Sequence, residues 1–449
     1  MTGNSSTGNN PLEWSIRLFA AHTYYAGPAP VERHLIKNFL VHKATTALVA
    51  DGGVGKTYIA LELALRAACG SEINGQTNLF MGFPISEKCK VIMLTMEDGK
   101  EDIHRRLDFI DPNGELRETA GDYCCIVPVR EQLADGLVLA EKDKNGGYTA
   151  SKVWKELIKF IRNYDEELGT QEPLIIIIDT YSATHHADEN SATGTNEWFR
   201  AAGLLKQLDA TLIITHHVRK TDPNYEIRTP TDMRLSVRGS NAFMNAIRAC
   251  YGIWEMPNAN AVISEMGVSE RTTLYNMGLL KNNTGISWDG RSDPRYLEPM
   301  ITLRRAEKGM LVFDDKFHKK RLELASDKES RLEELRKQLR AAIILACRWY
   351  AEHQWPLSKA NLTREKDVFL PDTVNHLGYK NEIEPLINQL LADGWIKQIK
   401  IKGTNGHILD VVNGPYASGL QAKRIEVTPV LPWDEYEYDS ENNEYIRKQ

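Results

Sequence analysis

Cysteine is scarce in this chain. Its six cysteines (Cys69, Cys89, Cys124, Cys125, Cys250 and Cys347) are scattered through 449 residues with no CxxC pair. This excludes a disulfide scaffold and paired zinc ligands, and it fits a reducing compartment, so a cytoplasmic location is expected. Long apolar runs are also missing. No stretch reaches the roughly 18 apolar residues of a membrane span, so no membrane partner is expected. The first ten residues are polar and rich in Gly, Ser and Asn, without the apolar run of a secretory signal, and residues 1–24 read as a disordered leader. Strong charge of one sign is absent too. Lys and Arg number 55 against 61 Asp and Glu, a net charge of -6, and six of the acids lie between Asp434 and Glu444. An average so close to neutral neither requires nor forbids a nucleic-acid partner, because local basic patches decide that. There is no internal repeat.

What the chain does contain is an alternation of apolar runs with amphipathic stretches, beginning near residue 46. Strands are expected at 45–50, 90–95, 174–178 and 210–215, and helices at 58–68, 100–110, 151–164 and 197–208. The unbroken Leu174, Ile175, Ile176, Ile177, Ile178 run is that of a strand buried on both faces. This order implies an α/β fold with a parallel central sheet covered on both sides. Residues 36–41 read as a short helix, 121–147 as a loop or hairpin excursion, 221–234 as a long polar loop, and 253–305 as late strands of the same domain. A second unit is expected from about residue 320. Leu332, Leu335, Leu339, Ile343, Ala346 and Tyr350 fall on one helical face, and helices at 358–365 and 382–391 precede a hairpin at 396–412. Three helices and a hairpin suggest a winged-helix-like domain over 320–415. The acidic tail, 416–449, is expected to be largely disordered.

The sharpest chemical signal joins the strand at 45–50 to the helix at 58–68. Ala50, Asp51, Gly52, Gly53, Val54, Gly55, Lys56 and Thr57 have the spacing of a phosphate-binding loop, with Ala50 in place of the usual first glycine and Tyr58 opening the helix. Small residues let backbone N–H groups wrap a phosphate at a helix N-terminus. Lys56 supplies charge for the β- and γ-phosphates of ATP, and the Thr57 hydroxyl is a ligand for Mg²⁺. Asp179, at the end of the 174–178 run, is placed to hold Mg²⁺ through water. Glu97 ends the 90–95 strand, where a carboxylate can activate the attacking water. Asp98 is the alternative base, and a helix N-cap is the plainer role for this pair. His216 at the end of the 210–215 strand is the first choice for sensing the γ-phosphate, with His217 next to it and a core histidine as the other reading.

In order and spacing, this set resembles the RepA-like hexameric ATPases, plasmid and phage relatives of the RecA and DnaB helicases. It comprises residues 50–57, Met96 to Asp98, Ile178 to Thr180, Asp188 to Asn190, His216 to Lys220, and Val237 to Ser240. The resemblance spans about residues 25–305. It implies a RecA-like P-loop ATPase core over 25–315, with ATP and Mg²⁺ as cofactors and self-association into a ring, usually a hexamer. It further implies an arginine donated across the subunit boundary to the γ-phosphate. Arg238 occupies the matching position, and Arg248, Arg219 and Lys220 are substitutes. Lys281 is a candidate for a second charge near the nucleotide. The residues beyond about 320 have no counterpart in the smallest members of this family.

Rings of this kind bind single strands with loops in a central channel. The segments 185–195 and 219–234 are candidates for contact with single-stranded DNA. The second carries Arg219, Lys220, Arg228 and Arg234, with Tyr225 available to stack. In the C-terminal domain Lys397, Lys400 and Lys402 suit phosphates, but the helix that would read bases opens on Glu382 and Glu384, so a protein partner there is equally expected. The functional expectation is an ATP-hydrolysing DNA helicase or translocase serving replication of a mobile element. A non-unwinding DNA-associated ATPase and an ATP-switched initiator or adaptor remain alternatives.

Overall fold

In a computed structural model the chain is described over residues 28–448, excepting 30, 134–135, 143–147, 185–190, 220–225, 240, 258, 269–271, 289–298, 307–308, 376–381, 401–405, 417 and 419–428. The expected leader therefore lies outside the described residues. The chain divides into two units, Met1–Arg321 and Leu322–Gln449.

Nine strands form the central sheet of the first unit among the described residues. They are β1 (Thr45–Ala50), β2 (Lys90–Thr95), β3 (Cys124–Pro128), β4 (Leu174–Asp179), β5 (Thr211–His217), β6 (Ala249–Glu255), β7 (Leu274–Asn282), β8 (Met300–Arg305) and β9 (Leu311–Phe313). Their spatial order is β9-β8-β7-β6-β1-β5-β4-β2-β3. The strands from β6 through β3 in that order are parallel, and β7, β8 and β9 extend the sheet antiparallel.

Strand alternation sorts each side chain to one of two apolar layers. Leu48, Met93, Ile175, Ile177 and Ile213 pack with helix α1 (Lys56–Cys69) on one face. Val49, Leu94, Ile176, Ile178 and Ile214 face the other, under helices that include α3 (Lys152–Leu168) and α4 (Ala192–Ala202). On α3, Trp154, Ile158 and Ile161 recur at helical spacing and are buried, Ser151 Oγ caps the first turn through Trp154 N, and Gly169 ends the helix in the left-handed region. Helix α2 (Lys100–Ile110) buries only Ile103 fully.

Several expectations need correction. Residues 36–41 are not helical: His34–Ile36 and Leu40–Val41 pair as a small hairpin, because Asn38 turns the chain at φ 57. The excursion 121–147 contains sheet strand β3, whose run of Cys, Cys, Ile, Val and Pro is too short to stand out among charged neighbours, before the hairpin Ala140–Lys142 with Tyr148–Ala150 begins. The helix expected at 197–208 starts earlier, at Ala192, and becomes a 3-10 turn from Gly203 to Leu208. Within the expected loop 221–234, Pro230–Leu235 is a short helix fixed by a Thr229–Asp232 capping box.

The second unit is built around part of the long helix α5 (Asp315–Glu352), in which the boundary at 321/322 falls. Leu339, Ile343, Ala346 and Tyr350 form its buried stripe, as the spacing predicts, packed with Leu362, Phe369, Ile387, Ile396 and Leu409. Short helices at Lys359–Arg364, Lys366–Phe369, Asp372–Asn375 and Glu384–Ala392 precede the hairpin Ile396–Lys400 with His407–Val411. The tail is not largely disordered where it is described. Tyr436–Asp439 pairs with Glu444–Arg447, and Leu431, Trp433, Tyr436 and Tyr445 pack on the apolar cluster of this unit. Aromatic residues interleaved with the acids give this segment a face to bury, which net charge alone conceals.

Candidate functional site

The C-terminal edges of β1, β4, β5 and β2 carry the predicted ATP-site residues, and the loop between β1 and α1 lies among them. Gly55 holds φ 116 there, and an added Cβ would meet the Gly309 carbonyl oxygen at 3.1 Å, so glycine is required on both counts. Helix α1 has no side-chain cap, which leaves its first N–H groups for an anion. Lys56 is buried, and its Nζ donates to the carbonyl oxygens of Ala50 at 3.0 Å and Asp51 at 2.9 Å. Burial pushes the Lys56 ammonium below its ordinary value, while Asp179, Asp51 and Glu97 pull it back. The same loop carries Gly52, Gly53 and Val54, and Tyr58 follows Thr57 into α1 with Arg106 stacked 5.1 Å over its ring.

Thr57 Oγ1 donates to Asp179 Oδ2 at 2.8 Å, and Thr215 Oγ1 donates to Asp179 Oδ1. Burial raises the Asp179 carboxyl above its ordinary value, against the two threonine hydrogen bonds that lower it. A buried carboxylate beside a threonine hydroxyl is a hard-oxygen pair that fits Mg²⁺. Glu97 is exposed at the end of β2, 3.4 Å from Thr180 Oγ1. Asp98 is engaged: Arg106 Nη2 donates to its Oδ1 at 2.9 Å, with Nε 2.9 Å from Oδ2. Of the two carboxylates, Glu97 is therefore the one placed to reach a water.

The histidines exchange places relative to expectation. His216 points into the opposite layer, fully buried, with its ring 4.8 Å from Tyr181 and 4.6 Å from Phe243. Its Nε2 lies 3.0 Å from the Arg238 carbonyl oxygen, so that nitrogen carries the hydrogen. Burial lowers its pKa to about 4. His217, one residue on and hence on the other face of β5, has Nδ1 3.3 Å from Lys56 Nζ. His217, not His216, is the histidine at the phosphate loop.

Arg238 is exposed, and its backbone N–H donates to the His217 carbonyl at 3.3 Å. Arg248 is exposed after the helix Asn241–Ala246, its backbone N–H bound to Thr45 O. Arg219 Nη2 donates to Gly239 O at 2.9 Å, and Arg228 pairs with Glu226. Lys281 does not reach the site. Its Nζ donates to Met244 O at 2.6 Å and Asn245 O at 3.3 Å, holding the end of the helix Asn241–Ala246. Lys220, Tyr225 and residues 185–190 lie outside the described residues, and residues 191–195 begin α4 rather than continuing a loop.

One further residue that the motifs do not mark touches the phosphate loop. Arg305, at the end of β8, has Nη2 3.4 Å from the carbonyl oxygens of Gly53 and Val54 and donates to Tyr275 Oη at 2.5 Å. Its guanidinium stacks 4.9 Å from the Tyr275 ring centroid. Both residues line a cavity of about 570 Å³ with Gly52, Gly53, Val54 and Trp254.

Residues 18–223 match a family model described as an AAA domain. That match and the strand–loop–helix geometry agree on a phosphate-binding loop in an α/β fold. Among solved structures, a KaiC-like protein from the hyperthermophilic archaeon Pyrococcus horikoshii is similar at 12% identity, with 62% of this chain and 92% of that chain covered at a TM-score of 0.36. The RadB recombinase is similar at 13% identity, covering 60% of this chain and 90% of its own at 0.34. Scores this low transfer nothing about activity from either protein. No helix among the described residues is long and apolar enough to cross a membrane.

Proposed function

We propose that the chain is an ATP-hydrolysing RecA-type motor that acts on single-stranded DNA as a ring, as RepA-like helicases of plasmids and phages do in replication of a mobile element. The observation that carries the ATP half of this reading is the convergence of Lys56, the Thr57–Asp179 pair and Glu97 on one phosphate loop. In this reading the first N–H groups of α1 hold the β-phosphate, and Lys56 leaves the carbonyls of Ala50 and Asp51 for the β- and γ-phosphate oxygens. Thr57 and, through water, Asp179 would hold Mg²⁺, which supplies charge neutralisation when bound. Glu97 accepts a proton from the attacking water, and His217, beside Lys56, responds to the γ-phosphate. The cavity between the loop, Tyr275 and Arg305 takes the base and ribose.

Arg238 belongs to the neighbouring subunit's site, where an exposed guanidinium can reach developing charge on the γ-phosphate. Exposure and a backbone tied to His217 support that assignment. Arg234, exposed on the helix Pro230–Leu235, is the remaining described arginine of the 219–234 segment for the DNA strand. The winged-helix-like reading of the second unit rests on its helices followed by a hairpin.

A strand-displacement assay of wild type, Lys56→Ala and Arg238→Ala, run alongside ATP hydrolysis, tests this. ATP-dependent unwinding lost in both variants is expected. Hydrolysis without unwinding by the wild type would remove the helicase and leave a non-unwinding DNA-associated ATPase.

A further inference from the structure

The second unit holds a groove of about 950 Å³ that the ATP chemistry does not use. One wall is α5, which presents Lys337, Arg340 and Arg348 around an apolar floor containing Ile344. The other carries Trp395, whose side chain is 55% exposed, an unusual state for so large an apolar surface in a folded unit. The Arg340 guanidinium lies 5.4 Å from its ring centroid. Asn413, Asn442 and Asn443 line the same space. Carboxylates are present as well, but two are already engaged: Asp393 lies 3.6 Å from Arg340, and Glu333 lies 3.6 Å from Arg336, while Lys337 lies a looser 3.8 Å from Glu334. Glu444 is the third acid at the rim. Arg348 is exposed and has no ion-pair partner among the described residues.

We propose that this groove binds single-stranded nucleic acid, with a base stacked on Trp395, phosphates on Arg348 and Lys337, and base edges within reach of the asparagine amides. An indole with one guanidinium beside it and further cations along the groove is an arrangement that holds an unpaired base, whatever its identity. A duplex keeps its base faces stacked and cannot offer one. A polyglutamate chain would use the cations but has no ring to lay on the indole. The inference goes beyond the proposed function and stands on the second unit alone, so it survives a failure of the hydrolysis or unwinding tests.

The test is fluorescence anisotropy of a labelled oligothymidylate with the full chain at low salt and without nucleotide. Trp395→Ala is expected to weaken binding by about tenfold or more, since stacking on an aromatic side chain contributes about 1–3 kcal/mol per base, while Trp395→Phe retains most of it. Arg348→Gln is expected to weaken binding and reduce the slope of log affinity against log salt by about one. Far-UV circular dichroism and binding of a fluorescent ATP analogue at the core verify that the variants fold. Should Trp395→Ala fail to fold, Trp395→Phe and Arg348→Gln still decide through the retained affinity and the changed salt slope. Wild-type affinity in both Trp395→Ala and Arg348→Gln overturns the proposal. So does wild-type protein that binds no oligothymidylate at low salt, or that binds polyglutamate or duplex DNA equally well.

Discussion

His216 provides the most demanding prediction, because the residue next to it faces the other side of the strand. Its ring is buried against Tyr181 and Phe243, its Nε2–H is spent on the Arg238 carbonyl, and its Nδ1 is buried without a hydrogen-bond partner among the described residues. Burial is the main reason its pKa falls from 6.5 to about 4, while the Arg238 carbonyl pulls upward and His217, Arg238 and Lys56 push further down. The sign follows from proton counting. Between pH 4 and 6.5 the unfolded chain holds a proton at this residue that the folded chain does not, so stability rises with pH across that window and is lost as pH falls through it. At about 1.36 kcal/mol per pH unit, the fall from 6.5 to about 4 is worth roughly 3 kcal/mol. Chemical denaturation of wild type and His216→Gln between pH 7 and 4 measures it. The wild-type core should lose about 2–3 kcal/mol more than the variant on acidification, because glutamine has no proton to take up. Hydrolysis at pH 7 should survive in His216→Gln and fall in His217→Ala. If the two acid limbs superimpose, the burial argument is refuted; if His216→Gln abolishes turnover in a stably folded protein, the view that His216 is dispensable for hydrolysis is refuted.

Further outcomes follow from the same geometry. Glu97→Gln should lower turnover by about a hundredfold or more while nucleotide still binds, whereas Asp98→Asn, which loses only the Arg106 contact, should cost far less; single-turnover hydrolysis separates the two. Asp179→Asn should keep the fold but bind ATP with a weakened dependence on Mg²⁺, read by titrating the metal against a fluorescent ATP analogue. Tyr275→Ala and Arg305→Ala should each weaken ATP binding by about 1–2 kcal/mol and leave pyrophosphate binding nearly unchanged, since the cavity they line is the one proposed for the base and ribose. Trp433→Ala should destabilise the second unit by about 1–3 kcal/mol in thermal unfolding, which a disordered tail would not do.

How much was legible in the sequence depended on how local the cause was. The phosphate loop and the Leu174–Asp179 strand are specified by short runs whose neighbours in sequence are also their neighbours in space, and both appear where expected. Strand β3 was concealed because a parallel strand needs no alternation and this one is only five residues long. Residues 36–41 are apolar enough to suit either a helix or a hairpin, and a single left-handed Asn38 decides for the hairpin. Arg305 was unreadable for a different reason. It touches Gly53 from 252 residues away, and only the fold-back of β7 and β8 beside β6 brings it there.

The histidine pair, by contrast, was half within reach of sequence reasoning: the period of two puts 216 and 217 on opposite faces, and the register decides which one meets the loop. In the β4–β5 register Ile178 lies opposite Ile214, so Asp179 lies beside Thr215, and the period of two then puts Thr215 and His217 on the Asp179 face with His216 on the other. The same parity places Leu48 and Ala50 of β1 with α1, and Val49 with α3 and α4. Strand β5 thus has contacts to two different parts of the fold on its two faces. Its alternate residues touch Lys56 and Asp179 on one face, while between them His216 holds the Arg238 carbonyl from the other face. A shift of β5 that follows what Lys56 binds would therefore carry Arg238 with it. The reading to test is that the His216–Arg238 hydrogen bond, rather than any direct contact with nucleotide, couples His216 to hydrolysis. If so, His216→Phe, which keeps the packing and removes the donor, should slow hydrolysis only under conditions where subunits associate, and the concentration dependence of turnover decides it.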